Sequence, residues 1–455
     1  MGHTILFSSL LAREMILDPT TFAATRVSGP FFWVVRRVRD MDFLAHDLRL
    51  AFRNVTRHKR RSAIALSAVG FGILALILAN SFIEWILWAT KETTIHSELG
   101  HIQVTQRGYL EAGAANPFGY LIPENAPVRN LPEQLRHVRV VAPRLSFSGL
   151  VSHGEATVSF IGEGVVAEAE AAMHRAHRLS RSVNIVQGED LSAQDPNGIV
   201  MGEGLAANLG VKSADTVVLL ANTASGSINA IEVKIRGIFS TISKAFDDSA
   251  LRVPRSTAQA LLRTSGDHRL VVLLDQTERT DEVLAQLRER LAGASVELTP
   301  WYALSDFYNK TVTLFAKQAA VVKLIIASII VLSISNTLLM SVLERTGEIG
   351  TSMALGVNRL RILRQFLLEG GLLGIFGGAV GVLAGILSAQ LISAIGIPMP
   401  APPGQSWGYS AEMRVTWTII ADSFALAVLT ALLASAYPAW KASRLEIVDA
   451  LRFNR

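Results

Sequence analysis

L-I-I-A-S-I-I-V-L-S-I-S-N-T-L-L-M-S-V-L, residues 324–343, runs for twenty positions without a charged side chain. A bilayer core takes about 20 predominantly apolar residues in helical form. A helix satisfies its own backbone N–H and C=O groups where no water can. This stretch therefore reads as a transmembrane helix. Working outward, three further runs share its character: residues 62–83 and 370–411 carry no charge, and 415–440 carries only Asp422. They fall one plus three around a polar block of more than two hundred residues. The expected fold class is membrane α-helical, four transmembrane helices arranged 1+3, with a large α+β extracytoplasmic domain inserted between helices 1 and 2.

The remaining composition agrees. Half of the 455 residues are hydrophobic, and charged residues make up 18%, below the roughly 25% of soluble domains. A formal charge of +5 is too small and too localised to argue for nucleic acid. Arg49, Arg53, Arg57, Lys59, Arg60 and Arg61 precede the first span, Arg345, Arg359, Arg361 and Arg364 lie between the second and third, and Lys441, Arg444, Arg452 and Arg455 follow the fourth. Basic residues are retained on the cytoplasmic side, so both termini and the 344–365 loop are expected inside and the polar block outside. There is no cysteine, which excludes thiol chemistry and Cys-based metal sites.

The chain divides accordingly: 1–40, an extension of unclear status; 41–61, a basic amphipathic segment on the cytoplasmic side; 62–90, the first span and a stalk; 91–300, the outer domain; 301–343, a second stalk and span; 344–365, an inner loop; 366–396, the third span; 397–416, an outer loop; 417–440, the fourth span; 441–455, a tail. Ile5–Leu11 and Phe31–Val35 are short apolar runs without the flanks of a signal peptide, so the first span is read as an uncleaved anchor. Within the outer block, strands are expected at His101–Gln106, Val138–Val141, Thr157–Ile161, Ile199–Met201, Thr216–Leu220, Ile231–Ile238 and Leu270–Leu274. Helices are expected at Val165–His177, Leu205–Leu209, Ser256–Leu262 and Asp281–Leu291, and a hinge between subdomains near 163–195. The third span is dense in glycine, with Gly370, Gly374 and Gly378 in one register and Gly377, Gly381 and Gly385 in another. Small residues four apart let helices approach closely in lipid. Packing within one bundle and a dimer seam are both compatible with two such faces.

Catalytic patterns fail on inspection. Gly162-Glu163-Gly164 and Gly202-Glu203-Gly204 open G-x-G-x-x-A strings, but neither has the acidic residue about 20 positions on that a dinucleotide site needs; each reads as a tight strand-to-helix turn. No Walker-type phosphate loop and no H-E-x-x-H string occur. Glu84, Glu369 and Asp422 lie near span ends, where headgroup-level solvation is expected. What remains is the inner loop. Gly356 is a helix stop and Asn358 a cap for the next helix. Ile349 and Met353, one turn apart, form an apolar pair on an otherwise polar helix, which would seek either a groove on a partner or the lipid surface.

Glu344 to Gly370, E-R-T-G-E-I-G-T-S-M-A-L-G-V-N-R-L-R-I-L-R-Q-F-L-L-E-G, strongly resembles the signature of MacB/FtsX-type ABC transporter permeases. The Tyr437-Pro438-Ala439-Trp440-Lys441-Ala442-Ser443-Arg444 ending, the Ala51-Phe52-Arg53-Asn54 start and Met201-Gly202-Glu203-Gly204-Leu205-Ala206 are similar to strings of the same family. The resemblance implies a mechanotransmission permease with no ATP site of its own. A cytoplasmic ABC ATPase subunit would bind ATP and magnesium, and a second permease copy or paralogue would complete a dimer in the bacterial inner membrane. It assigns ATPase coupling to the loop of Glu344, Arg345, Glu348, Ile349, Gly350, Met353, Leu355 and Gly356. Gly100-His101-Ile102-Gln103-Val104 with Gly108-Tyr109-Leu110 is similar to the lipoprotein-releasing branch, which implies a lipoprotein or lipid-linked cargo. Export of peptides or small molecules, or signalling to an external cell-wall hydrolase through a periplasmic partner, are the alternatives.

Overall fold

A computed structural model describes residues 47–452 except 58, 114, 176–182, 242 and 401–408. The extension 1–40 lies outside the described residues. Four helices are long and apolar enough to cross a membrane, and three of them extend well beyond the charge-free runs. After the helical residues 47–57 (α1), α2 runs Lys59–Thr94, α7 Asp306–Glu344, α9 Arg359–Ile395 and α10 Trp417–Ser443. At 1.5 Å per residue, α2, α7 and α9 each exceed a ~30 Å hydrocarbon core by about 25 Å. The surplus of α2 follows its charge-free run and that of α7 precedes it, so both adjoin the block of residues 91–300.

The chain forms two compact units. Of the described residues, the first holds those up to Ile73, Ile326–Gly381 and those from Phe424, that is, the halves of the spanning helices that adjoin α1, α8 (Thr346–Ala354) and α11 (Ile447–Arg452). Its packing follows the glycine registers. A Cβ at Gly374 would stand 2.5 Å from Ala431 Cβ, one at Gly378 would stand 3.0 Å from Ala427 Cβ, and one at Gly370 would overlap Ser435. One glycine face of α9 is therefore pressed on α10. The other face meets α2: a Cβ at Gly377 would lie 2.8 Å from Val69 Cβ, and one at Gly381 would lie 2.5 Å from Gly70 O. Both faces are filled by the chain's own helices, which removes the glycine seam as a dimer contact.

The second unit contains Leu74–Ile325 and Val382–Ser423. There Gly385 continues the α2-facing register, with its Cβ position 3.1 Å from Ile77 Cβ. Arg414 donates its backbone N–H to Ser81 O at 3.1 Å and stacks on Trp88 at 4.6 Å, so the loop before α10 clasps the outer part of α2.

The outer domain is one ten-stranded sheet in the order β10-β1-β9-β2-β3-β8-β5-β7-β4, with β6 bridging β2 and β7. Its strands are β1 Ile102–Gln106, β2 Val138–His153, β3 Ala156–Val165, β4 Val183–Gly188, β5 Gly198–Gly202, β6 Thr216–Asn222, β7 Ile228–Thr241, β8 Ala250–Pro254, β9 Arg269–Leu274 and β10 Val296–Pro300. Helices α3 (Ala167–Arg175), α4 (Glu203–Leu209), α5 (Arg255–Leu262) and α6 (Thr280–Arg290) accompany it. One core gathers Leu145, Phe160, Met201, Leu219, Ile235 and Val253; another gathers Ile102, Val104, Val141, Leu270, Leu284 and Leu287. β2 belongs to both. Its first half pairs with β9 and its second with β3 and β6.

Several expectations are corrected. β4, β8 and β10 lie where no strand is expected. β8 is buried end to end yet carries Arg252, and β10 closes on Pro300; both features mask a short strand. β2 runs sixteen residues where four are expected, because its Pro, Ser and Gly residues read as loop. Gly162 and Gly164 lie inside β3 rather than at a turn, whereas Gly202-Glu203-Gly204 does join strand to helix. No break marks a hinge at 163–165, since β3 pairs there with both β2 and β8.

Candidate functional site

The inner loop forms a compact corner. Glu344 ends α7, Arg345 alone separates it from α8, and α8 is closed by Gly356, whose φ of +92° suits glycine. Val357 N–H donates to Ser352 O at 3.1 Å and Gly356 N–H to Met353 O at 3.0 Å, the paired bonds of a Schellman stop. Asn358 Oδ1 then accepts from Leu360 N–H at 3.3 Å and caps α9. Ser352 Oγ is bound to Glu348 O at 2.8 Å on the helix.

The expected outward pair is corrected. Ile349 and Met353 are buried, at 6% and 7% exposure, and α8 packs on α11. Gly350 is buried with them. A nine-residue helix gains stability chiefly from burying its apolar stripe, and α11 is an element packed against it. Glu348, Thr351, Ala354, Leu355 and Gly356 are exposed in this segment, with Leu355 at 82%.

Charged groups tie the corner together. Arg345 donates from Nη1 to Glu369 Oε1 at 3.1 Å and from Nε to Glu348 Oε2 at 3.2 Å, and its guanidinium lies 5.8 Å from the Phe366 ring centre. Asn54 Nδ2 donates to the same Glu369 oxygen at 2.5 Å. Arg57 reaches Glu348 at 3.3 Å and Arg61 reaches Glu344 at 2.5 Å. Asp47 holds Arg361 at 3.2 Å and also pairs with Arg364. Glu369 is 4% exposed, so the headgroup solvation expected of it is replaced by ion pairing. A lone acid just ahead of the uncharged run 370–411, with an arginine upstream, was the available signal.

A second cluster joins the stalks to the head. α2 ends in a π-helical turn, Ile95–Leu99, and Gly100 leaves it at φ 64°, ψ −172°. Such turns recur at functional sites. Trp301 N–H donates to His101 O at 3.0 Å, linking the foot of β10 to β1. Ile95, Ala142, Met173, Val271, Leu273 and Trp301 form a core there. His101 Nδ1 accepts from Leu274 N–H at 3.0 Å, which leaves Nε2 to donate to Thr277 Oγ1 at 3.0 Å; Thr277 in turn donates to Glu92 Oε1 at 3.1 Å. Burial, with His96 and Lys91 adding to it, lowers the His101 pKa to about 3. The imidazole is neutral, as its hydrogen bonds require.

Nearby, Arg144 grips Glu170 through two bonds of 2.9 and 3.1 Å. Glu163 is surrounded by Arg144, Arg252 and Arg269. Burial alone would raise its pKa, but the three guanidiniums hold it down at about 2. Arg252 also donates to Ser97 O in the π-turn at 3.4 Å. Among the described residues no group of His, Asp and Glu is placed to hold a metal ion.

Comparison with known proteins agrees on the class. Residues 62–290 match the family model of the MacB-like periplasmic core domain, and residues 320–447 match that of the FtsX-like permease C-terminal. The uncharacterized ABC transporter permease YvrN of Bacillus subtilis is 26% identical over 445 residues, covering 90% of this chain and 99% of that protein. The macrolide export ATP-binding/permease protein MacB of a Shewanella species is 26% identical over 446 residues, covering 91% of this chain and 61% of that protein. An uncharacterized ABC transporter permease of Methanocaldococcus jannaschii is 26% identical over 280 residues, covering 59% of this chain. The chain spans 65% of that archaeal protein's length.

Proposed function

Because the chain belongs to the MacB/FtsX-type ABC transporter permeases, we propose that it is the membrane subunit through which a cytoplasmic ATPase dimer moves an outer domain. ATP and magnesium would be held by that partner. The observation that carries the reading is continuity. α2 and α7 each run unbroken from beside the inner corner, where Arg61 and Glu344 pair, to the foot of the outer sheet. A helix transmits displacement along its axis because every turn is hydrogen-bonded to the next. The exposed tip of α8, around Leu355, is the docking face for the ATPase, and the termini lie on the same, cytoplasmic side. Two copies or two paralogues would work as a dimer.

The cargo is a lipid-linked or amphipathic molecule already outside the membrane or in its outer leaflet. Release of lipoproteins is one form of this, supported by the strings at Gly100–Val104 and Gly108–Leu110. Export of a peptide or small molecule is the second, favoured by the similarity to a macrolide exporter over nearly the whole chain. The test is a photocrosslinker placed at Leu355 in cells that also express a candidate ABC ATPase. A crosslink to the ATPase that disappears when the probe is moved to buried Met353 is expected. A crosslink only to lipid or to an external protein would overturn the docking face.

A further inference from the structure

The polar links that tie the inner corner to its surroundings are unequal. Arg57–Glu348 is more than half exposed on both sides, and Arg61–Glu344 is 39% exposed on both. Such pairs hold weakly, because water and salt screen them and two long side chains must be ordered. Asp47 anchors α1 to the first turns of α9. The Arg345–Glu369 pair differs: its side chains are 13% and 5% exposed, and Phe366 lies beneath the guanidinium. A buried pair resists separation, since either partner alone would be a charge without water.

Arg345 is also the single residue between α7 and α8, and Glu369 lies about 15 Å along α9. Asn54 of α1 shares the same carboxylate oxygen. Three parts of the chain therefore converge on one side chain.

We propose that Glu369 is the positioning residue that fastens the α7–α8 corner to α9 and α1, so that a displacement of α8 reaches the third spanning helix through the Arg345–Glu369 pair. This rests on the reading of α8 as the element an ATPase pushes. The pair acts as a stiff latch, because separating it takes a guanidinium away from a carboxylate that is only 4% exposed.

The natural absence of cysteine allows site-directed spin labelling of the full chain in lipid nanodiscs. Glu369→Ala removes the carboxylate on the buried side of Arg345 and is expected not to accumulate. The deciding variant is therefore Arg345→Met with Glu369→Met, which removes both charges while filling the space; Glu348→Gln, which weakens only the exposed contacts, is the control. A label at Leu355→Cys should lose its ordered spectral component in the double variant and keep it in the control. With the ATPase bound, labels at Glu155→Cys in two copies should report an ATP-driven distance change, lost in the double variant while hydrolysis continues. A double variant that keeps both the ordered spectrum and the ATP-driven shift overturns the latch. If the unsubstituted complex shows no ATP-driven shift, the proposed function falls. The Leu355→Cys spectrum then decides the latch alone, and an unchanged spectrum overturns it.

Discussion

At the scale of single residues, backbone geometry and protonation make the sharpest predictions. Gly100 sits in a region of φ/ψ that is essentially glycine-only, and a Cβ there would overlap Val271. Gly100→Ala should destabilise the outer domain by about 1–3 kcal/mol from backbone strain, with the overlap adding to it, read as a lower melting temperature of the detergent-solubilised protein. His101 predicts a pH dependence. Its pKa is near 6.5 when unfolded and about 3 when folded, so between those values the unfolded chain binds the extra proton. Stability is full above pH 6.5 and falls as the pH drops towards 3, by at most about 1.4 kcal/mol per unit for this one group. His101→Gln retains an acceptor and a donor without titrating, so its melting temperature should fall less between pH 7 and pH 5. An equal fall in both proteins would show that other groups set the acid limb. Neither His101 nor Glu369 was legible in the sequence as a structural keystone, because their partners, Thr277 and Arg345, are brought to them by folding.

Among elements, the glycine registers of α9 give the clearest contrast. Gly381→Leu should push α2 away, since its Cβ position already lies 2.8 Å from Ile73 Cβ as well as against Gly70 backbone. Gly371→Ala meets only the end of the Leu432 side chain at 3.2 Å and should be tolerated. Thermal unfolding in detergent should separate the two by several degrees, and equal behaviour would mean that the helices yield to the added bulk. The spanning helices were readable because charge-free runs of bilayer length are rare in chains that stay in water. The alternation of β7, with Glu232 and Lys234 outward against buried Val233 and Ile235, was readable for the analogous reason. What stayed hidden was context. α8 looked unpartnered because α11, on which it packs, lies about a hundred residues downstream. β8 was missed because Arg252, a charge in a buried strand, is acceptable only beside Glu163 and Glu170.

For the molecule as a whole, the charge distribution predicts sidedness. In intact cells, a membrane-impermeant maleimide should label Glu155→Cys and leave Leu355→Cys untouched until the membrane is permeabilised; the reverse pattern would invert the topology. The one-plus-three arrangement and the matches to two family models cover most of the chain, so the class was visible in the sequence while the internal wiring was not. One part of that wiring bears on how the head responds to load. β2 is threaded through both outer cores as a single uninterrupted strand, paired to β9 at one end and to β3 and β6 at the other. A girder shared by two rooms leaves no doorway along which they can swing apart. Calorimetry should accordingly show the head melting in one step, and a tug at its root should turn tip and base together, as a key turns in a lock.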